Sequence, residues 1–107
     1  MTAQLRLTYS TGIVLQAVAS GYRYGFDIMD VSGLPDGTVY PALRRLERAD
    51  WLESAWEDSE TAHNQNRPPR RYYQLTATGR ARLHEARERF PGLARTVTAR
   101  TANLPAE

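Results

Sequence analysis

With 107 residues and a formal net charge of +2, the chain is sized for one domain around a single core and leaves no room for a separate ligand-sensing domain. Cysteine is absent, which excludes disulfides, thiolate metal sites and thiol catalysis and makes a cytoplasmic location natural. No apolar run approaches the ~20 residues of a membrane span, and Met1-Thr2-Ala3-Gln4-Leu5-Arg6 lacks the charged and apolar regions of a signal peptide.

The distribution of charge matters more than its sum. All 14 basic residues are arginines, a bias that a G+C-rich genome explains, yet each is a planar fork able to bind phosphate or guanine bidentately. Residues 76–107 carry six arginines against Glu85, Glu88 and Glu107, whereas the stretch from Glu53 to Glu60 holds four acids and no base. Any nucleic-acid surface is therefore local.

Residues 10–20 are expected to form a helix capped by Ser10 or Thr11, with Ile13, Val14, Ala17 and Val18 facing inward and Gly21 ending it. A helix of about two turns follows, from Tyr24 or Gly25 to Val31. At Ser32-Gly33-Leu34 the chain breaks, because glycine supplies the φ > 0 that a sharp interhelical turn needs and Leu34 can fold back as an apolar wedge. Asp36 is placed to cap a third helix running from Gly37 to about Asp50. Wound at about 100° per residue, that helix gathers Val39, Ala42, Leu43, Leu46 and Ala49 on one stripe and Gly37, Tyr40, Pro41, Arg44 and Arg48 on the opposite one. Two short helices joined at a glycine, the second bearing arginines, a tyrosine and a point of close approach, form a unit able to lie in a DNA major groove. An ordinary amphipathic helix with solvated arginines is the competing reading of this segment alone. Pro41, beyond the first helical position, removes one backbone hydrogen bond and loosens the first turn.

Trp51 to Glu57 and Arg70 to Leu75 are rich in aromatics and alternate, so they read as an antiparallel hairpin. Their connection, Asp58 to Pro69, is long, polar and without an apolar anchor, and is expected to be mobile. It ends in Arg67-Pro68-Pro69-Arg70-Arg71-Tyr72, where stiffening prolines and three arginines suit a wing laid along phosphates or in a minor groove; a solvated loop is the alternative. Thr76 caps the last helix. Along it Leu83, Ala86, Phe90, Leu93 and Val97 follow at alternating spacings of three and four, a register that survives Pro91 and so predicts one kinked helix. Such a seam needs cover, either from a second copy of the chain or from the first helix of the same chain.

Catalytic chemistry is missing. His63 and His84 are far apart and have no ligand-like neighbours, while Asp58, Glu60, Glu85 and Glu88 fall in exposed contexts. No phosphate loop, nucleophile elbow or zinc-protease motif is present. No metal or cofactor is expected.

In order along the chain, Tyr24-Gly25, Gly37-Thr38-Val39-Tyr40-Pro41-Ala42-Leu43-Arg44-Arg45-Leu46-Glu47 and Arg70-Arg71-Tyr72-Tyr73-Gln74-Leu75-Thr76-Ala77-Thr78-Gly79-Arg80 resemble a PadR-family transcriptional regulator, over roughly residues 10–83. The resemblance implies a mainly α fold with a small β-hairpin: a winged helix–turn–helix over residues 1–76 and a C-terminal dimerisation helix and tail over 77–107. It further implies a homodimer that represses nearby genes, and a single helix after the wing matches the shorter branch of the family. On this reading Gly37, Thr38, Tyr40, Pro41, Arg44 and Arg48 lie at or in the major groove of double-stranded DNA. Arg67, Arg70 and Arg71 hold flanking phosphates, and Leu83, Ala86, Phe90, Leu93 and Val97 pair the two copies. Family members often sense aromatic compounds, and Trp51, Trp56 and Phe90 with the N-terminal helix are the candidates for a small aromatic effector at the dimer seam. The alternative function is a winged-helix module that binds another protein, which the low net charge and the acidic first strand favour.

Overall fold

The computed structural model of the protein describes residues 5–101, with side chains to residue 97. Residues 1–4 of the N-terminal stretch and the tail 102–107 lie outside the described residues. In chain order the elements are α1 (Tyr9–Ala19), α2 (Gly25–Ser32), α3 (Asp36–Arg48), β1 (Leu52–Trp56), α4 (Ser59–Asn64), β2 (Arg71–Leu75), α5 (Ala77–Arg89) and α6 (Leu93–Thr101).

The hub is α1, which packs against α2, α3, α5, α6 and β2. Every residue from Thr11 to Val18 is buried, so the helix expected to be one-sided is enclosed all round, in keeping with a segment that carries no charge from Tyr9 to Ala19. Its buried Gln16 is satisfied, since Nε2 donates to Ser20 Oγ at 3.1 Å and Oε1 accepts from Arg87 Nε at 2.8 Å. The cap is Thr8 and not Ser10 or Thr11: the Thr11 N–H donates to Thr8 Oγ1 at 3.2 Å and the Thr8 N–H donates back to Thr11 Oγ1 at 2.9 Å. This reciprocal pair satisfies two otherwise orphaned donors.

Gly33 caps α2 at φ 73° and Leu34 packs against the core, as the turn requires. Asp36, expected to cap α3, lies inside it, because Pro35 already holds the extended cap conformation (φ −70°, ψ 158°). Val39, Ala42, Leu43 and Leu46 are buried as one stripe. At the far end the Trp51 N–H donates to Leu46 O at 2.9 Å and the Asp50 N–H to Glu47 O at 3.0 Å, around Asp50 at φ 66°. That pairing stops α3 and aims the chain into β1.

The two strands pair antiparallel, Leu52 opposite Leu75 and Trp56 opposite Arg71. Leu52, Ser54 and Trp56 thus share a face with Leu75, Tyr73 and Arg71, buried at the base and exposed towards the tip. The connection is not an unanchored loop: Ser59–Asn64 form α4, Asp58 caps it by accepting the Glu60 N–H at 3.3 Å, and Ala62 is buried.

The last helix is not one kinked rod but two helices. Phe90 leaves the helical region (φ −122°, ψ 81°), Pro91 brings no N–H, and Gly92 takes φ 93°, so the chain turns back. The reversal lays α6 over α1 and α2. Leu83, Ala86, Leu93 and Val97 are buried within the single chain, and Phe90 packs edge-on to Tyr9 with 5.6 Å between ring centroids. Of the two covers the seam allowed, a second copy or the first helix of the same chain, the described residues show the latter, α5 and α6 both packing on α1, and one buried cluster runs across residue 76.

Candidate nucleic-acid interface

Burial of one stripe of α3 puts Gly37, Tyr40, Arg44 and Arg48 outward, with Thr38 and Pro41 half-buried beside them. The space a Cβ on Gly37 would occupy is open, so a partner's backbone can approach it closely. Pro41 has no N–H to offer the Gly37 carbonyl four residues earlier. Arg44 and Arg48 make no ion pair among the described residues. Arg48, in the last turn, also lines a groove of about 700 Å³ with Leu5, Trp51, Arg82 and Arg89.

The hairpin lies against α3 through one network. Glu47 Oε2 accepts from Ser54 Oγ at 2.6 Å and from Arg71 Nη2 at 3.0 Å, Arg71 Nε donates to Ser54 Oγ at 2.8 Å, and the Arg71 guanidinium lies 5.7 Å from the Trp56 ring centroid. A second tie comes from the segment before α2, where Tyr24 bridges Tyr72 and the Tyr73 N–H donates to Arg23 O at 2.9 Å. The wing is thereby held to the helix–turn–helix on both sides.

The three wing arginines occupy different positions. Arg67 grips Glu57 with both terminal nitrogens, Nη2 reaching Oε2 at 2.7 Å, and also donates to Gln65. Arg71 is engaged by Glu47. Arg70 stacks 4.0 Å above the Tyr24 ring with no ion pair among the described residues, leaving its guanidinium edge open to an anion. The aromatic residues expected to gather round an effector also separate. Trp51 lines the groove beside Arg48, Trp56 stands about 16 Å further along the strand, and Phe90 sits on Tyr9.

The Arg67 side chain, with help from the Arg70 N–H at 3.3 Å, holds the Glu57 carboxyl down to about 2 from the usual 4.5. A lowered folded-state value stabilises the fold above the ordinary carboxylate range, and that contribution is lost as pH falls through about 4.5 towards 2. The connection carrying α4 is therefore expected to loosen in acid. Carboxyl NMR titration should place Glu57 near 2 and Arg67→Ala should return it to the ordinary range, whereas an unmoved midpoint would refute the assignment.

A glycine-turned helix pair followed by a two-stranded hairpin, with the exposed face of the second helix beside the wing, defines a winged helix–turn–helix protein. The chain belongs to the transcriptional regulator PadR-like family, whose model matches residues 14–85. A PadR-family transcription regulator of hypervirulent Clostridium difficile is similar in structure, with TM-score 0.62 at 21% identity over 83% of this chain and 95% of its own. A Streptococcus transcriptional regulator gives TM-score 0.62 at 24% identity over 83% and 88%. A PadR-like regulator of Bacillus cereus gives 0.59 at 22% over 91% and 92%. No match was found among curated proteins. Family and structural neighbours are transcription regulators, not enzymes, and PadR-family regulators act by binding DNA. Among the described residues no helix is long and apolar enough to cross a membrane.

Proposed function

We propose that this chain represses transcription by occupying an operator in double-stranded DNA, with α3 in the major groove and the hairpin on the flanking backbone. The carrying observation is that α3 buries Val39, Ala42, Leu43 and Leu46 while presenting Gly37, Tyr40, Arg44 and Arg48 beside a wing braced to the same helix. Arg44 and Arg48, with Tyr40, Thr38 and Pro41, read or line the groove, and Arg70 holds phosphate. Arg67 and Arg71 serve the interface by fixing the wing through Glu57 and Glu47. A homodimer brings two α3 helices to a two-fold site about one DNA turn, ~34 Å, apart. Leu83, Ala86, Leu93 and Val97 are covered within their own chain, so this reading does not rest the pairing on those four side chains.

Genomic fragments retained by the purified protein identify the site, and two variants then divide the interface. Arg44→Ala is expected to weaken the preferred duplex by roughly 1–3 kcal/mol and to relax base preference. Arg70→Ala should weaken all duplexes alike and flatten the plot of log K against log salt by about 0.9 for each phosphate left without its arginine. The internal pairing of Arg67 and Arg71 favours a second reading, a protein-binding module. Retention of no DNA fragment, or binding indifferent to salt, would overturn the first reading and leave the second standing.

A further inference from the structure

Gly25, the first residue of α2, is buried against the ring of Tyr40. A Cβ at this position would stand 2.6 Å from Tyr40 Cε1, 3.3 Å from Cζ and 3.4 Å from Cδ1, and these are the three nearest heavy atoms it would meet. The backbone does not demand glycine here, since its φ is not positive. What requires glycine is the space the tyrosine ring occupies. From that seat Tyr40 stays 39% exposed on the outward face of α3.

We infer that Gly25 is a positioning residue for sequence selection, fixing where Tyr40 presents its ring to the base edges. This rests on the DNA-reading face proposed above. The neighbouring backbone decides which partner yields when the seat is filled. Tyr24 bridges Tyr72 of the wing, the Ile28 N–H donates to Tyr24 O at 2.9 Å, and Arg23 O is taken by Tyr73. The start of α2 is pinned, whereas Tyr40 can turn about its side-chain bonds, so a methyl group at residue 25 swings the ring and leaves the fold standing.

The test compares four proteins, the parent, Gly25→Ala, Tyr40→Ala and the double variant, on duplexes selected from a randomised pool and on an unselected duplex. Gly25→Ala is expected to change the selected bases at one position and to weaken the parent's preferred duplex by about tenfold, the lower part of what recognition of one base carries. Binding to the unselected duplex should hold. In the Tyr40→Ala background the same change should have no further effect, because the atoms it would strike are gone. An unchanged selection by Gly25→Ala while Tyr40→Ala alters it, or an equal effect in both backgrounds, overturns the inference alone. A Tyr40→Ala protein that selects the parent's sequence overturns the groove assignment of Tyr40 as well. The seat itself is read without any variant: a nuclear Overhauser effect between the Gly25 Hα protons and the Tyr40 ring is expected in the parent, and its absence refutes the packing.

Discussion

Replacing Gly79 with alanine is expected to lower the melting temperature by about 15 °C, the effect of roughly 3 kcal/mol of overpacking in a domain of this size. A Cβ there would fall 1.9 Å from the Trp51 carbonyl oxygen and 2.9 Å from its carbon, both backbone atoms that no rotamer change can move aside. The same corner latches α5 to the end of α3. Thr76 Oγ1 donates to Asp50 O at 2.6 Å and accepts from the Gly79 N–H at 3.0 Å, while the Thr76 N–H donates to Trp51 O at 3.2 Å. Backing α5 away to admit the methyl stretches these bonds together and lifts Leu83 and Ala86 from the core they fill. Thermal unfolding followed by circular dichroism checks it. A melt within a few degrees of the parent would show that the first turn of α5 shifts freely, and the latch would then carry little of the fold.

Gly79 also marks where sequence reasoning reached and where it stopped. The Thr76 cap was legible because a threonine before a helical run satisfies donors within its own turn. That the next glycine must admit the Trp51 carbonyl was not, since the approach joins residues 28 apart in the chain. The pattern recurs. The buried and outward stripes of α3 and the turn at Gly33 follow from local periodicity and local backbone, and the structure places them as expected save for Ala49 and Pro41, which are both half-buried. The pairing of Arg67 with Glu57 and of Arg71 with Glu47 depends on tertiary placement, and no spacing announces it. A single buried alanine, Ala62, anchors α4 within a polar segment whose composition argues for a loop. Of the proposed interface, the face of α3 could be read from one helix, but the roles of the wing arginines required knowing which carboxylate each one meets.

Leu93→Asp is expected to remove about 4 kcal/mol of stability, since it exchanges buried methyl groups for an uncompensated carboxylate in a side chain now 1% exposed. Spacing alone could not name the cover here, for a physical reason. Leu83, Ala86, Phe90, Leu93 and Val97 keep a seam because α5 and α6 both cover α1, and a seam records that a surface is buried without recording by what. The reversal at Gly92 supplies the answer, bringing Leu93 to 3.3 Å from where a Cβ on Gly12 of α1 would lie. Cover from the same chain and cover from a second copy leave different signatures, because only the second depends on concentration. Urea unfolding of parent and variant at two widely separated protein concentrations is therefore expected to show the same loss at both. A loss that shrinks as concentration rises, or a folded variant sedimenting at half the parent's mass, would show that these residues face another copy, and would return the seam to the dimer.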